Sequence, residues 1–336
     1  MKNIVQYFCK TYITLPYRLI FLLLALEILI GGTLTFINQL DFHYTTVVLF
    51  ASHVARLTWL GAALIVLFAA FFVLYGLWVE KESVRACAFM VGLGLFFWSV
   101  LANLIFANGL QTTPFMPIDL TLVKIDRWMG IHTPLLMAWT YQHALIHRVL
   151  NFIYNSLEYE LIIIPLLLAI FSSSRTIAIF YLSTLSSLLV GCLIYYFFPT
   201  TAPSGVFHSP YFSQWQRDTS LRFYEVHHAL KVTTDEGGLI AFPSFHVIWA
   251  ILLTYPTYPK KWIFYPLASY NFLLIISTVL LGWHYLTDVI GGVILAAAAI
   301  AWGECINANL KDRKTTADDQ LQIVRLATKQ GESEST

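Results

Sequence analysis

Charge is what this sequence has least of. Of 336 residues, 20 are Lys or Arg and 19 are Asp or Glu, together 12% of the chain, against about 25% in a soluble domain. With 58% hydrophobic residues and a mean hydropathy of +0.68, this excludes an ordinary soluble fold. A formal net charge of only +1 excludes an electrostatic nucleic-acid binder. Cysteine is scarce as well. Cys9, Cys87, Cys192 and Cys305 have no metal-ligand spacing, and their places in apolar runs or near cytoplasmic ends argue against structural disulfides. There is no internal repeat of the kind that marks the two halves of many transporters. No small-residue cleavage site follows the first apolar stretch, which therefore reads as a retained signal-anchor helix.

What the chain does have is long apolar runs. A hydrocarbon core of about 30 Å takes about 20 helical residues, and runs near 19–37, 59–79, 86–107, 152–172, 176–198, 243–258, 262–281 and 284–304 meet or approach that length. The sixth is the shortest. Lipid offers no backbone partners, so these runs are expected to be helices, giving an all-α, polytopic bundle of about eight transmembrane helices. Segment 133–151 mixes apolar residues with His143, His147 and Arg148 at helical spacing and reads as one amphipathic helix, lying on the membrane or packed against the bundle. Stretch 41–58 is read the same way. Three regions result: N-terminal transmembrane helices over 1–110, a membrane domain over 111–307, and a polar, flexible tail over 308–336.

Loop charge sets the orientation. With the N-terminus cytoplasmic, the inside collects Lys2, Lys10, Arg18, Lys81, Arg85, Arg175, Lys260, Lys261 and the basic residues of the tail. The outside holds Arg56, Lys124, Arg127, Arg148, Arg217, Arg222 and Lys231, mostly in long loops that count for less. Both termini are then cytoplasmic. His246 and His284, at the edges of separate spans, come to the same outer face.

Those histidines sit in two short motifs, Phe242-Pro243-Ser244-Phe245-His246 and Gly282-Trp283-His284-Tyr285-Leu286-Thr287-Asp288. A histidine and an aspartate four apart share a helix face, where the carboxylate can bond one imidazole nitrogen and leave the other free to attack. A second histidine can serve as acid or base. Ionisable groups are expensive within membrane spans and are read as functional there. The bland alternatives are an interhelical hydrogen bond for either histidine, a structural His–Asp pair, or a metal site built on His246, His284 and Asp288, for which no further ligand is evident.

The pattern resembles the type 2 phosphatidic acid phosphatase superfamily of lipid phosphatases and phosphotransferases, whose soluble relatives include vanadium haloperoxidases. Pro243-Ser244-Phe245-His246 matches its Pro-Ser-Gly-His element with phenylalanine for glycine. Ser277-Thr278, five residues, His284, three residues and Asp288 match its Ser-Arg-x5-His-x3-Asp element with threonine for arginine. The Lys-x6-Arg-Pro element is not recognisable, and Phe198-Pro199-Thr200-Thr201-Ala202-Pro203 occupies its approximate place. These departures are similar to the inositol phosphorylceramide synthase-like branch, as is Asp126-Arg127-Trp128-Met129-Gly130. The resemblance spans roughly residues 120–304.

It implies a five-to-six-helix catalytic core in which His284 is the nucleophile, forming a phosphohistidine, Asp288 orients it and His246 is the acid and base. Ser244 and backbone N–H groups at the start of the sixth span would bind phosphate oxygens, with Thr278 in the arginine position. No metal and no cofactor is implied. Outer cations such as Arg127 and Arg148 are candidates to replace the missing charge, although a loop ion pair serves for Arg127 and a solvated helix face for Arg148 equally well. The expected function is transfer or hydrolysis of a lipid phosphoryl headgroup at the outer face of a plasma, inner or endomembrane. Its partners are the bilayer, a membrane lipid substrate and an alcohol or ceramide-like acceptor. The alternatives are a phosphatase of phosphatidic acid or an isoprenoid (di)phosphate, or a non-catalytic lipid binder or transporter.

Overall fold

The computed structural model describes residues 15–37, 46–47, 55–56, 92, 94–96, 99, 110, 112–228, 230, 233–234 and 241–308. Among them the architecture is helical: α1 Leu15–Ile37, α2 Asp119–Trp128, α3 Thr133–Gln142, α4 Ala144–Asn155, α5 Leu157–Phe171, α6 Ser174–Phe197, α7 Gln214–His227, α8 Phe245–Thr254, α9 Lys261–Leu280 and α10 Leu286–Ala308. The exception is a two-residue antiparallel pairing of Thr46–Val47 (β1) with Ala55–Arg56 (β2), Thr46 opposite Arg56. It stands where an amphipathic helix was expected over 41–58. The β-branched run Thr45-Thr46-Val47-Val48 favours an extended chain.

Four helices are long and apolar enough to cross a membrane: α1, α6 from Arg175, α9 and α10. The pair α4–α5, bent by 43° at its junction, makes a fifth if it is taken as one span. The expected span 59–79, nearly all of 86–107, and the tail from 309 onward lie outside the described residues. The expected span 243–258 is α8 with a 3-10 turn at Tyr255–Thr257. Its short apolar helix, Phe245–Thr257, covers about 20 Å at 1.5 Å per residue, less than the hydrocarbon thickness. Pro256 ends the α-helical ladder there.

The expected single helix over 133–151 is instead broken at His143. The ring Nδ1 of His143 donates to the Trp139 carbonyl at 2.8 Å, the carbonyl an unbroken helix would offer to the His143 N–H. That N–H turns to Thr140 instead. The side chain competes with the ladder, and the chain bends.

α1 packs on α6, while α8 packs on α9, α6 and α5, and α9 also contacts α3 and α4. Ile20, Leu24, Leu182, Leu185, Leu253 and Leu274 form part of the shared core. Outward, Leu29 and Phe36 on α1, Phe272 on α9 and Ile294 on α10 are exposed, an apolar exterior suited to lipid. Polar side chains join the helices inside: the Asn271 amide donates to Thr254 Oγ1 at 2.9 Å and Ser183 Oγ to the Ala299 carbonyl at 3.1 Å. In membranes such bonds contribute about 0.6 kcal/mol each on average.

The two ends of the bundle differ. At one end Arg175 at the start of α6 pairs with Glu304 near the end of α10 at 2.8 Å, and Tyr255 donates to the same carboxylate at 2.8 Å. Lys260 and Lys261 open α9 there. At the other end α6 and α9 finish and α8 and α10 begin, and both histidine motifs lie there.

Candidate active site

The reversal between α9 and α10 is built by the main chain. The Thr278 carbonyl accepts the N–H groups of Trp283 at 3.0 Å and His284 at 3.1 Å. Gly282 turns the chain at φ +76°, where a side chain would be strained and would also strike the Met137 thioether. α10 then starts with Tyr285 at its cap and Asp288 in its first turn. The Asp288 Oδ2 atom accepts the Tyr285 N–H at 2.9 Å, the acidic half of a capping box. The same oxygen lies 3.3 Å from His284 Nδ1. One carboxylate therefore fixes both the helix start and the imidazole.

The second motif meets this one directly. The Ser244 N–H donates to the Asp288 carbonyl at 3.1 Å, and Ser244 Oγ accepts the Val247 N–H at 3.5 Å as the cap of α8. Gly292 permits the approach, since a Cβ there would sit 2.8 Å from the Ser244 carbonyl oxygen. His246, two residues into α8, brings its ring centroid to 5.5 Å from that of His284 at an interplanar angle of 61°. It also stacks on Tyr154 of α4 at 4.4 Å, and Tyr154 stacks on Trp283 at 5.1 Å. A nucleophilic imidazole oriented by a carboxylate, with a second imidazole beside it, can carry group transfer with general acid–base assistance.

Burial pushes the pKa of His284 down to about 4, with a hydrogen bond to the Ala241 backbone acting the other way. The ring is therefore neutral at pH 7 and retains a lone pair. The acid limb of kcat/KM should fall near pH 4 to 5 rather than at the ordinary histidine value near 6.5. A break at 6.5 in a pH–rate profile would contradict a buried nucleophile. Folding follows the same sign. Between about pH 6.5 and 4 the unfolded chain binds a proton that folded His284 does not, so this contribution to stability falls as the pH is lowered.

The remaining predicted residues lie less centrally. The Thr278 side chain is buried, and its hydroxyl donates to its own helix at the Ile275 carbonyl, 2.7 Å. Arg127 is exposed, as is Arg148, whose Nε reaches the Ala144 carbonyl at 3.4 Å. His147 and Arg148 line an open groove with Asn151 and Tyr159. Arg217 bonds the Phe212 carbonyl and Gln214.

The sequence marks Asp126 only through the Asp126–Gly130 resemblance and Trp283 only as part of a motif, and it assigns no role to Asp119 or Tyr154. The carboxylate of Asp126 accepts the N–H of Leu286 at 2.8 Å and the N–H and hydroxyl of Thr287 at 3.0 and 2.6 Å. Asp119 accepts the Thr201 N–H at 2.9 Å and the Tyr285 hydroxyl at 3.0 Å. Burial raises the Asp119 pKa, and these donors oppose the shift. The seven-residue spacing of the two aspartates, two helical turns, was the available signal.

A further polar layer comes from α7. Gln216, Thr219, Arg222 and Glu225 are all buried, and the Gln216 amide donates to the Leu281 carbonyl at 2.9 Å, one residue before the turn glycine. Arg222 is the single buried Lys or Arg among the described residues, at 2% exposure.

No curated protein and no solved structure matches the chain significantly. A family match does exist, over residues 120–302, more than half of the chain and containing both histidine motifs. It runs from α2 through most of α10, the helices that build the arrangement described above. The chain belongs to the PAP2 superfamily, which generally comprises phosphatase and phosphotransferase enzymes.

Proposed function

We propose that this membrane protein transfers the phosphoryl headgroup of a lipid through a phosphohistidine on His284, with an alcohol as the favoured acceptor. The observation that carries this reading is the convergence of His284, held by Asp288, and His246, with ring centroids 5.5 Å apart. In the first step His284 attacks phosphorus, the bond to the leaving oxygen breaks, and His246 protonates that oxygen. In the second, His246 takes the proton of an acceptor hydroxyl, which attacks phosphorus and releases His284. Water in the acceptor position would give hydrolysis by the same residues. No step calls on a metal, so EDTA should leave the rate unchanged. Vanadate, which can adopt the geometry of in-line attack, should inhibit.

Charge favours a phosphodiester donor, as in the inositol phosphorylceramide synthase-like branch. A phosphomonoester brings nearly two negative charges near neutral pH and a diester one. Thr278 stands where the superfamily pattern has arginine. Among the described outer cations Lys124, Arg127, Arg148 and Arg217 are exposed, where water and salt screen them. A site short of cations compensates a dianion less well than a monoanion. Comparing kcat/KM for phosphatidic acid with that for phosphatidylinositol, with and without ceramide, tests this. A clear preference for phosphatidic acid would leave an ordinary lipid phosphatase, and inactivity on every lipid phosphate ester would favour the non-catalytic alternative.

We place the site on the non-cytoplasmic face and both termini in the cytoplasm. Arg175, Lys260 and Lys261 gather at the end of the bundle opposite the histidines, which supports this orientation. In a cysteine-free background, His208→Cys should react with an impermeant thiol reagent from outside, and Lys260→Cys only from the cytoplasm. Reversed labelling would invert the orientation.

A further inference from the structure

α10 carries Asp288 but does not cap itself. Its cap residue is Tyr285, whose side chain has no acceptor suited to the first-turn N–H groups. The reciprocal bond from Asp288 satisfies only the Tyr285 N–H, at 2.9 Å. The next two donors, Leu286 and Thr287, are taken by Asp126, a residue 160 positions earlier in the chain, at 2.8 and 3.0 Å. The Thr287 hydroxyl donates to the same oxygen at 2.6 Å. Two turns back on α2, Asp119 grips Tyr285 by its hydroxyl at 3.0 Å and the Pro199–Pro203 turn by the Thr201 N–H at 2.9 Å. Between the two aspartates, Leu122 and Val123 pack on the Tyr285 ring. The face of α2 that is buried is therefore the face that holds residues 285, 286 and 287.

We propose that α2 is a clamp on the nucleophile loop and that Asp126 is a positioning residue acting through Asp288 on His284. The inference rests on the phosphohistidine reading. Its geometric basis is that Asp288 shares one oxygen between the Tyr285 N–H and His284 Nδ1, the latter at 3.3 Å. A small rotation of the first turn of α10 would lengthen the second contact beyond hydrogen-bonding range. Asp126 opposes that rotation with three acceptor contacts. Asp126→Asn is the sharpest substitution, because it keeps size and shape while replacing one acceptor oxygen with an N–H donor that faces N–H groups.

The test is a double-mutant cycle on the purified full-length protein. It uses Asp126→Asn, Asp288→Asn and the pair, with the lipid phosphate ester on which wild type is most active. Asp126→Asn should lower kcat by about 10²-fold with KM changed less than about threefold. It should add less than about threefold in the Asp288→Asn background, since the charged contact it supports is already gone. Multiplicative losses in the double variant, or an effect confined to KM, would overturn the proposal. Hydrogen exchange gives a readout independent of activity. Asp126→Asn should deprotect amides 285–288 while the interior of α10 stays protected. Unchanged exchange at 285–288 would also overturn the clamp. If wild type turns over no phosphate ester but the exchange result holds, the proposed function fails and the cap itself stands.

Discussion

His284→Ala loses at least ~10⁴-fold in turnover of a phosphate-ester lipid, read as release of labelled headgroup by purified protein. The size follows from the step removed. Without the imidazole there is no covalent intermediate, and the acceptor must displace the leaving group directly in a site shaped for two displacements. His246, the nearest alternative nucleophile, has its ring 5.5 Å away and stacked on Tyr154, and Asp288 does not reach it among the described hydrogen bonds. His246→Ala should separate the two steps. With a good leaving group it should still form the acid-labile phosphoenzyme but release it slowly, because nothing then deprotonates the acceptor. Labelled phosphoenzyme in His284→Ala, or wild-type turnover by it, would sink the mechanism.

Asp288→Asn should reduce kcat by about 10³- to 10⁴-fold, by analogy with the aspartate of a serine-protease triad. In the native arrangement Oδ2 accepts from His284 Nδ1, which leaves the proton on Nδ1 and the lone pair on Nε2. An amide can meet the Tyr285 N–H and His284 Nδ1 with its single oxygen in the Oδ2 position, but it carries no charge. It therefore does not stabilise the positive charge that the ring gains when Nε2 bonds phosphorus. Because substrate binding does not depend on that charge, KM should change little. Steady-state kinetics with one lipid substrate decides the point, and a kcat within tenfold of wild type would make the His–Asp contact structural. The two aspartate variants also differ in kind: Asp288→Asn alters the imidazole directly, whereas Asp126→Asn alters it only through the helix start.

The sequence alone determined the class of molecule and the chemistry available to it. Twelve per cent charge and several apolar runs require membrane helices, because an unpaired backbone is intolerable in lipid. His284 and Asp288 bond one another as their spacing suggests, but not along a helix face: His284 precedes the cap of α10, and the contact runs from the turn to the first turn of the helix. The meeting of His246 with His284 was expected from topology, and the rings are adjacent. Three things were legible only in part. The break at His143 depends on a side chain taking a helix carbonyl, a local competition that apolar periodicity does not encode. The shortness of α8 is a matter of where Pro256 stops the ladder. The pairing of 46–47 with 55–56 follows β-branching that a helical reading overrode.

Only the tertiary structure decided how the loop is held. Asp126 and Thr287 are 161 residues apart, and no local pattern says which helix start an aspartate will cap. Tertiary packing also separated the arginines, exposing Arg127 and Arg148 and burying Arg222 beside Thr219 and Phe223 on the inner face of α7. All three are arginines, and all three lie on helices. What differs is the face each helix turns inward, which is fixed by the apolar and capping contacts of the whole bundle, including the Gln216 bond to Leu281. Motif residues are legible in sequence because the chemistry specifies them. Their supports are not, because any well-placed acceptor can satisfy a helix N-terminus.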